Sequence, residues 1–373
     1  MHDIAKQLIE ALKDNKTILN QYIKSHYERL KEHYWTAKKL LILALYIPMF
    51  LQIGRKHFNT IIYIDTHAGP GLAMIGEEEW FLGSPLIAAI WPSIIAKRVS
   101  QFKKIAKGFD RMYFIDIDEY AYTLLLKLRE IVAETLGYSD LKDKIVIRKG
   151  DANTLLCKEI REDIRQRYKG KKILVLMFID PFGSLNEQIK YSVLECFTKD
   201  LKVDIVMIVL FNELIRGLAS EVSLDRVMKH VEELWGKDFC SLNEAKELSI
   251  CKCFNQMLSP RQCKLDGEDI VKAYEIIVKI RLGYRKIIKL PVQGKDNRIY
   301  YYIIMATKGK GEWLEKYAEY VNNYIPSDYN ELKIILTKSI KQDTTKTLYD
   351  YERKAKTIVE YIKNIDKNPN KKK

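Results

Sequence analysis

The sequence predicts an α/β fold built on a parallel sheet, with a late antiparallel hairpin and helical additions at both ends. Three observations carry this. From residue 60 onward, short runs rich in Ile, Val, Tyr and Phe alternate with longer helical stretches. The runs are apolar throughout rather than alternating, as strands buried on both faces are. Three of them end in Asp, and in open α/β sheets the residues at the carboxyl ends of strands face the ligand.

The elements follow in order. Residues 1–58 read as an N-terminal helical cap, with apolar positions Ile4, Leu8, Ile9 and Leu12, then Leu40, Leu41, Leu43, Ala44 and Ile47, at helical spacing. Five strand-like runs follow: IIYID (61–65), MYFID (112–116), KIVIR (144–148), ILVLMFID (173–180) and VDIVMIVLF (203–211). A helical insertion spans about 217–280. Then YRKIIKLPV (284–292) and RIYYYIIMAT (298–307) form a hairpin, with Gly294 and Asp296-Asn297 supplying the turn chemistry. This inventory is that of a Class I (Rossmann-like) methyltransferase sheet, in a domain of residues 59–310. Residues 311–373 are a C-terminal helical extension ending in a basic tail.

Composition excludes other classes. Of 373 residues, 47% are apolar and 30% charged, which rules out a disordered chain. Nine Pro and 17 Gly rule out collagen-like or low-complexity architecture. The longest apolar stretch, Leu40 to Ile53, is interrupted by Pro48 and Gln52 and falls short of the ~20 residues a membrane span needs. The N-terminus is amphipathic, carries acids and lacks a signal-peptide core, so the chain reads as cytoplasmic. The six cysteines match no standard zinc spacing, so no metal is expected. Cys251, Cys253 and Cys263 could bind a metal or form a disulfide; ordinary reduced thiols are the favoured reading.

The net charge is +14, from 63 Lys and Arg against 49 Asp and Glu. Such an excess attracts polyanions such as nucleic acid or an anionic membrane surface; the equal alternative is a solvated Lys-rich surface. Three clusters concentrate it. Residues 97–111 hold six Lys or Arg against one acid, residues 165–172 hold five against none, and residues 352–373 hold eight against three.

The motifs at the strand ends suggest the chemistry. In IIYIDTHAGPG a strand delivers Asp65 into a turn with Gly69 and Gly71, which lets the backbone bend tightly and approach a ligand. This is similar to the first motif of S-adenosylmethionine (SAM) enzymes, with the turn under the methionine part. His67, inside the turn, is either a base or substrate contact or a hydrogen-bonded turn residue. The segment Leu72 to Leu82 could fold over the pocket, and the next helix is expected to begin at Gly83-Ser84-Pro85. Asp116 ends the second strand, where an acid can accept from both ribose hydroxyls; Asp118 is the alternative, and a helix N-cap is the plainer role for either. Asp151 is placed either to accept from an adenine amino group or to cap a helix. FIDPFG presents Asp180, Pro181 and Phe182: a carboxylate for the reacting group, a stiffened backbone and a ring able to stack on a base. Asn212, Glu213 and Arg216, after the fifth strand, could also reach the site.

In order, YIDTHAGPG, GSPLIAA, FIDID, KGDA, FIDPFG and YYYIIMATKG resemble the three-Cys-motif partner (TcmP) proteins, from about residue 30 to 310. That resemblance implies a Rossmann-type SAM-dependent methyltransferase with a small radical-SAM-like partner protein. DTHAG and GSPLIA are also similar to bacterial large-subunit rRNA adenine-N6 methyltransferases, whose fourth motif is Asp-Pro-Pro-Tyr. Asp180 and Pro181 match that motif, but Phe182-Gly183 stands where Pro-Tyr is expected. The resemblance implies a base in nucleic acid as acceptor, RNA rather than DNA. The alternatives are a protein or small-molecule acceptor, or a scaffold that binds nucleic acid or a partner without catalysis.

Overall fold

The computed structural model describes residues 2–12, 34–75, 79–98, 100–135, 137–181, 183, 185–221, 223–258, 262–293 and 298–325. Helices α1 (His2–Ala11) and α2 (Tyr34–Gly54) precede strand β1 (Thr60–Asp65). A small hairpin, β2 (Leu72–Ile75) and β3 (Glu79–Leu82), leads into α3 (Ser84–Arg98). Then come β4 (Arg111–Asp116), α4 (Glu119–Thr135) and β5 (Ile145–Lys149). Helix α5 runs from Ala152 through a π turn at Leu156–Ile160 to Arg167. Strand β6 (Ile173–Ile179), α6 (Tyr191–Asp200) and β7 (Lys202–Val209) follow. The insertion holds α7 (Phe211–Ala219), α8 (Leu224–Trp235), α9 (Ser249–Asn255) and α10 (Gly267–Ile276), the last extended by a π segment, Ile277–Arg281. Strands β8 (Lys286–Gln293) and β9 (Ile299–Thr307) and helix α11 (Glu312–Tyr324) complete it.

The main sheet has seven strands in the order β5-β4-β1-β6-β7-β9-β8. Strands β5, β4, β1, β6 and β7 are parallel, and β9 runs antiparallel between β7 and β8. Every residue of β1 is buried, as its continuous apolar run requires. Ile61 and Tyr63 face one core, with α1, α2, α3, α4 and α11; Ile62 and Ile64 face the other, with α5 to α10. The terminal helices therefore close one face of a three-layer sandwich. Tyr317 on α11 donates from its hydroxyl to the Ile42 carbonyl on α2 at 2.5 Å.

Within α2, Thr36–Gly54 is long and apolar enough to cross a membrane by length and composition, and it continues through Pro48. Most of it is buried in the protein, as in a core helix.

Two sequence expectations change. Within the segment 72–82, β2 and β3 pair antiparallel against the core, with Leu72 and Leu82 buried in the same cluster as Leu8 of α1 and the adjoining Leu12. The segment's ends are tied where the Gly83 N–H donates to the Gly71 carbonyl at 2.8 Å. A Cβ on Gly83 would lie 2.8 Å from the Gly71 carbonyl carbon. Gly83→Ala is therefore expected to cost about 2–3 kcal/mol of unfolding free energy, by overpacking against backbone that cannot move aside; urea denaturation measures it.

The cysteines are the second change. All six pair, as Cys157–Cys196, Cys240–Cys251 and Cys253–Cys263, with Cα separations of 6.3, 5.2 and 5.7 Å, inside the disulfide range. The pairing is spatial, and spacing along the chain did not reveal it. Stable disulfides belong to oxidising compartments or to intracellular proteins of hyperthermophiles.

Candidate active site

Sheet register brings the predicted acids to one edge. Asp65 lies opposite Phe114 of β4 and Phe178 of β6, so Asp116 and Asp180 each stand two residues beyond it on the flanking chains. Asp116 pairs with Lys149, which places Asp151 at the same edge.

Asp65 is fully buried. Tyr63 donates its hydroxyl to Oδ2 at 3.2 Å, while Oδ1 has no hydrogen bond of normal geometry. Burial pushes the carboxyl pKa up to about 7; nearby Asp180 adds to the rise, and Ser84, Tyr63 and the His67 amide beside the group oppose it. Above it, Gly69 and Gly71 adopt φ of 61° and 80°, the left-handed region that favours glycine. A Cβ on Gly69 would meet nothing within 4 Å, so the turn opens there on empty space; one on Gly71 would press on Leu125 and Leu128.

Asp116 is a clamp as well as an edge carboxylate. Its Oδ2 accepts from the Gly69 N–H at 2.7 Å and its Oδ1 from the Asp118 N–H at 2.8 Å. It is only 4% exposed. Asp116→Ala would strand two amides and release the glycine turn, with an expected loss of about 3 kcal/mol in stability, since each bond to a charged acceptor is worth ~1.5–3 kcal/mol; denaturant unfolding checks it. Asp118 accepts from the Ala121 N–H at 2.8 Å and Asp151 from the Asn153 N–H at 2.9 Å, so each caps a helix.

His67 has a hydrogen-bond partner at each ring nitrogen. Its Nδ1 is 2.8 Å from Thr66 Oγ1 and its Nε2 is 2.9 Å from the Glu187 carbonyl. A carbonyl only accepts, so the proton sits on Nε2. Burial pulls the imidazole pKa down, and the ring ties the turn to the segment after β6.

Asp180 forms an ion pair with Lys39 of α2, the two side chains 18% and 15% exposed. Pro181 is buried beside it, and Phe182 lies outside the described residues. Lys39 was missed by the sequence reading. Its signal was faint: two lysines at the head of an apolar helix. The neighbouring Lys38 is 4% exposed, and burial lowers its pKa to about 8. Ile117, between Asp116 and Asp118, was also missed. It is 67% exposed, an apolar platform at the strand ends. Arg216 is held by Glu213.

The basic clusters lie elsewhere. Residues 97–111 lead into β4 and residues 165–172 into β6, so both sit at the amino edge of the sheet. Six-residue strands at ~3.3 Å per residue put that edge ~20 Å from Asp65 and Asp180. At the carboxyl edge Lys149 pairs with Glu119, and Lys190 with Glu233. The tail, residues 352–373, lies outside the described residues. Among the described residues no group of three or more His, Cys, Asp or Glu could hold a metal ion.

A seven-stranded sheet in this order, with an antiparallel strand next to its edge and a glycine turn after the central strand, is the Class I methyltransferase fold. No protein-family model matches the chain, and no curated protein matches it. Among solved structures it is similar to a protein of Legionella pneumophila at 13% identity, covering 76% of this chain and 91% of that one with a TM-score of 0.37. An O-methyltransferase from Bacillus cereus in complex with SAH matches at 14% identity, over 82% and 97%, with a TM-score of 0.34. The plantazolicin methyltransferase in complex with SAH matches at 12% identity, over 83% and 100%, with a TM-score of 0.29.

Proposed function

We propose that this chain is a SAM-dependent methyltransferase. The observation that carries the reading is the buried Asp65, whose Oδ1 has no hydrogen bond of normal geometry, beside a glycine turn with open space at Gly69. A buried carboxylate with so few well-formed hydrogen bonds is costly, and a cationic ammonium such as that of the SAM methionine part would offset the cost. Gly69 and Gly71 let the backbone approach. Asp116 accepts from the ribose, Ile117 packs on the adenine face, and Asp151 accepts from its amino group. The cofactor supplies the reactive carbon, and the chain aligns the acceptor through Asp180, Pro181 and Phe182.

Calorimetry with SAM tests this. Saturable binding that is lost in Asp65→Ala is expected; absence of binding to the wild type overturns it.

The acceptor we favour is a base in nucleic acid, RNA before DNA, from the net charge of +14 and the resemblance to rRNA methyltransferases. Transfer of labelled methyl from SAM to total RNA tests it; transfer only to protein or small molecules rejects it. The resemblance to TcmP proteins adds a small radical-SAM-like partner to the reading, and the amphipathic, acid-bearing N-terminus adds a cytoplasmic location. A second reading, binding without catalysis, is favoured by Lys39 standing on Asp180. SAM binding without transfer to any acceptor would support it.

A further inference from the structure

A group of cations without carboxylate partners lies far from the glycine turn. A cleft of about 670 Å³ opens between α6 and the π segment after α10, lined by Arg161, Lys199, Arg281 and Lys308 against one carboxylate, Glu195. Lys308 follows β9 where that strand pairs with the start of β7, so the cleft lies toward the amino edge, opposite Asp65 and Asp180.

The ion pairing there is lopsided. Arg161 is held by Asp200. Glu195 accepts from the Tyr191 hydroxyl at 2.6 Å. The other three cations have no carboxylate partner among the described residues. Arg281 donates to the Lys237 carbonyl at 2.6 Å and stacks over the Tyr191 ring. Lys308 donates to the Thr198 carbonyl at 2.9 Å over the Tyr284 ring, and burial lowers its pKa. Lys199 is exposed on the last turn of α6. Ser192 and Thr198 also line the cleft.

Three unmatched cations around one concavity repel each other, and an anion of more than one charge relieves all three. A single carboxylate would leave two unmatched. Phosphate oxygens suit the Arg fork and the Lys point charges together. The volume is that of a small-molecule site, ~300–1,000 Å³. The basic run 165–172 begins one turn beyond Arg161 on the same helix and extends the positive surface.

We infer that this cleft binds the phosphate group of a phosphorylated ligand, at a site separate from the proposed methyl-transfer edge. The same chemistry is offered by a free pyrophosphate or nucleotide and by the backbone of RNA. In the second case the RNA is anchored at the edge away from Asp180.

The test uses the full chain, with inorganic pyrophosphate followed by calorimetry and a short labelled single-stranded RNA followed by anisotropy. At least one probe is expected to bind the wild type at physiological salt. Lys199→Glu should weaken it by at least ~10-fold, with a shallower salt dependence, while Lys199→Arg stays within about twofold because it keeps the charge. Loss of pyrophosphate binding assigns the free ligand, and loss of RNA binding alone assigns the polymer. Lys199 is exposed, so the variants are expected to fold, and SAM affinity should not change. Failure of both probes to bind, or charge reversal without effect on either, overturns the inference. Failure of SAM binding alone overturns the methyltransferase reading and leaves this one standing.

Discussion

Asp65→Asn is expected to weaken SAM binding about 10- to 100-fold, the worth of a charge-assisted hydrogen bond at ~1.5–3 kcal/mol. The same change should stabilise the cofactor-free protein at neutral pH and above. Both follow from one fact: the carboxyl group is fully buried and its pKa is pushed up to about 7. A carboxyl raised in the folded state favours folding while both states are protonated, below about pH 4. That advantage drains away as pH rises toward the folded value, and above about 7 the buried charge is a full cost. Asn removes the charge and with it most of the cost. For binding the sign reverses. A cationic ligand group needs the ionised form, so wild-type affinity should fall about tenfold per pH unit below about 7, with release of up to one proton on binding. Calorimetry in buffers of different ionisation enthalpy reads that proton directly. An affinity flat across this range, or a cofactor-free Asp65→Asn protein that melts lower than wild type above neutral pH, would remove Asp65 from the proposed role.

The sheet and its working edge were legible because continuous apolar runs ending in Asp have one physical use. They span a covered parallel sheet and deliver charge where water and ligand begin. The glycine turn was legible too, and Gly69 and Gly71 both take the left-handed conformations that glycine allows. Ser84-Pro85 marked the start of α3 by capping chemistry alone. What escaped was set by contacts distant in sequence. Lys39 meets Asp180 across 141 residues, and nothing local to HYWTAKKLL announces it. The cysteine pairs Cys240–Cys251 and Cys253–Cys263 follow one another along the chain, and spacing alone does not rank that pairing above the alternatives. The edge occupied by the basic clusters was legible in principle. Residues 97–111 and 165–172 both precede strands whose far ends carry the acids, which puts them at the other edge. Asp116 shows a different gap. Its place was read correctly, but its two bonds to the turn depend on the backbone curling back, which residue types do not specify.

Asp180→Ala is expected to lower methyl transfer about 100-fold or more while SAM affinity stays within about twofold, the pattern of a group that acts on the acceptor in the transition state. Because Asp180 is ion-paired, loss of activity alone would not separate a role in transfer from collapse of the pair. Lys39→Met makes the separation. It breaks the same pair from the other side and keeps the length of the side chain. Breaking a fully buried pair costs ~3–5 kcal/mol, and these side chains keep some contact with water, so each single change should cost about 1–3 kcal/mol of stability. If the pair only braces α2 against the strand ends, both variants lose stability and activity alike. If the carboxylate holds the acceptor, the stability losses match but the activities part. Lys39→Met then keeps transfer within about tenfold of wild type, since it leaves the carboxylate in place and removes a competing donor, whereas Asp180→Ala does not recover at any acceptor concentration. Denaturation of the two single variants and the double variant measures their coupling, and transfer of labelled methyl measures the divergence. Equal activity losses would assign Asp180 to structure and favour the reading in which the chain binds without catalysis.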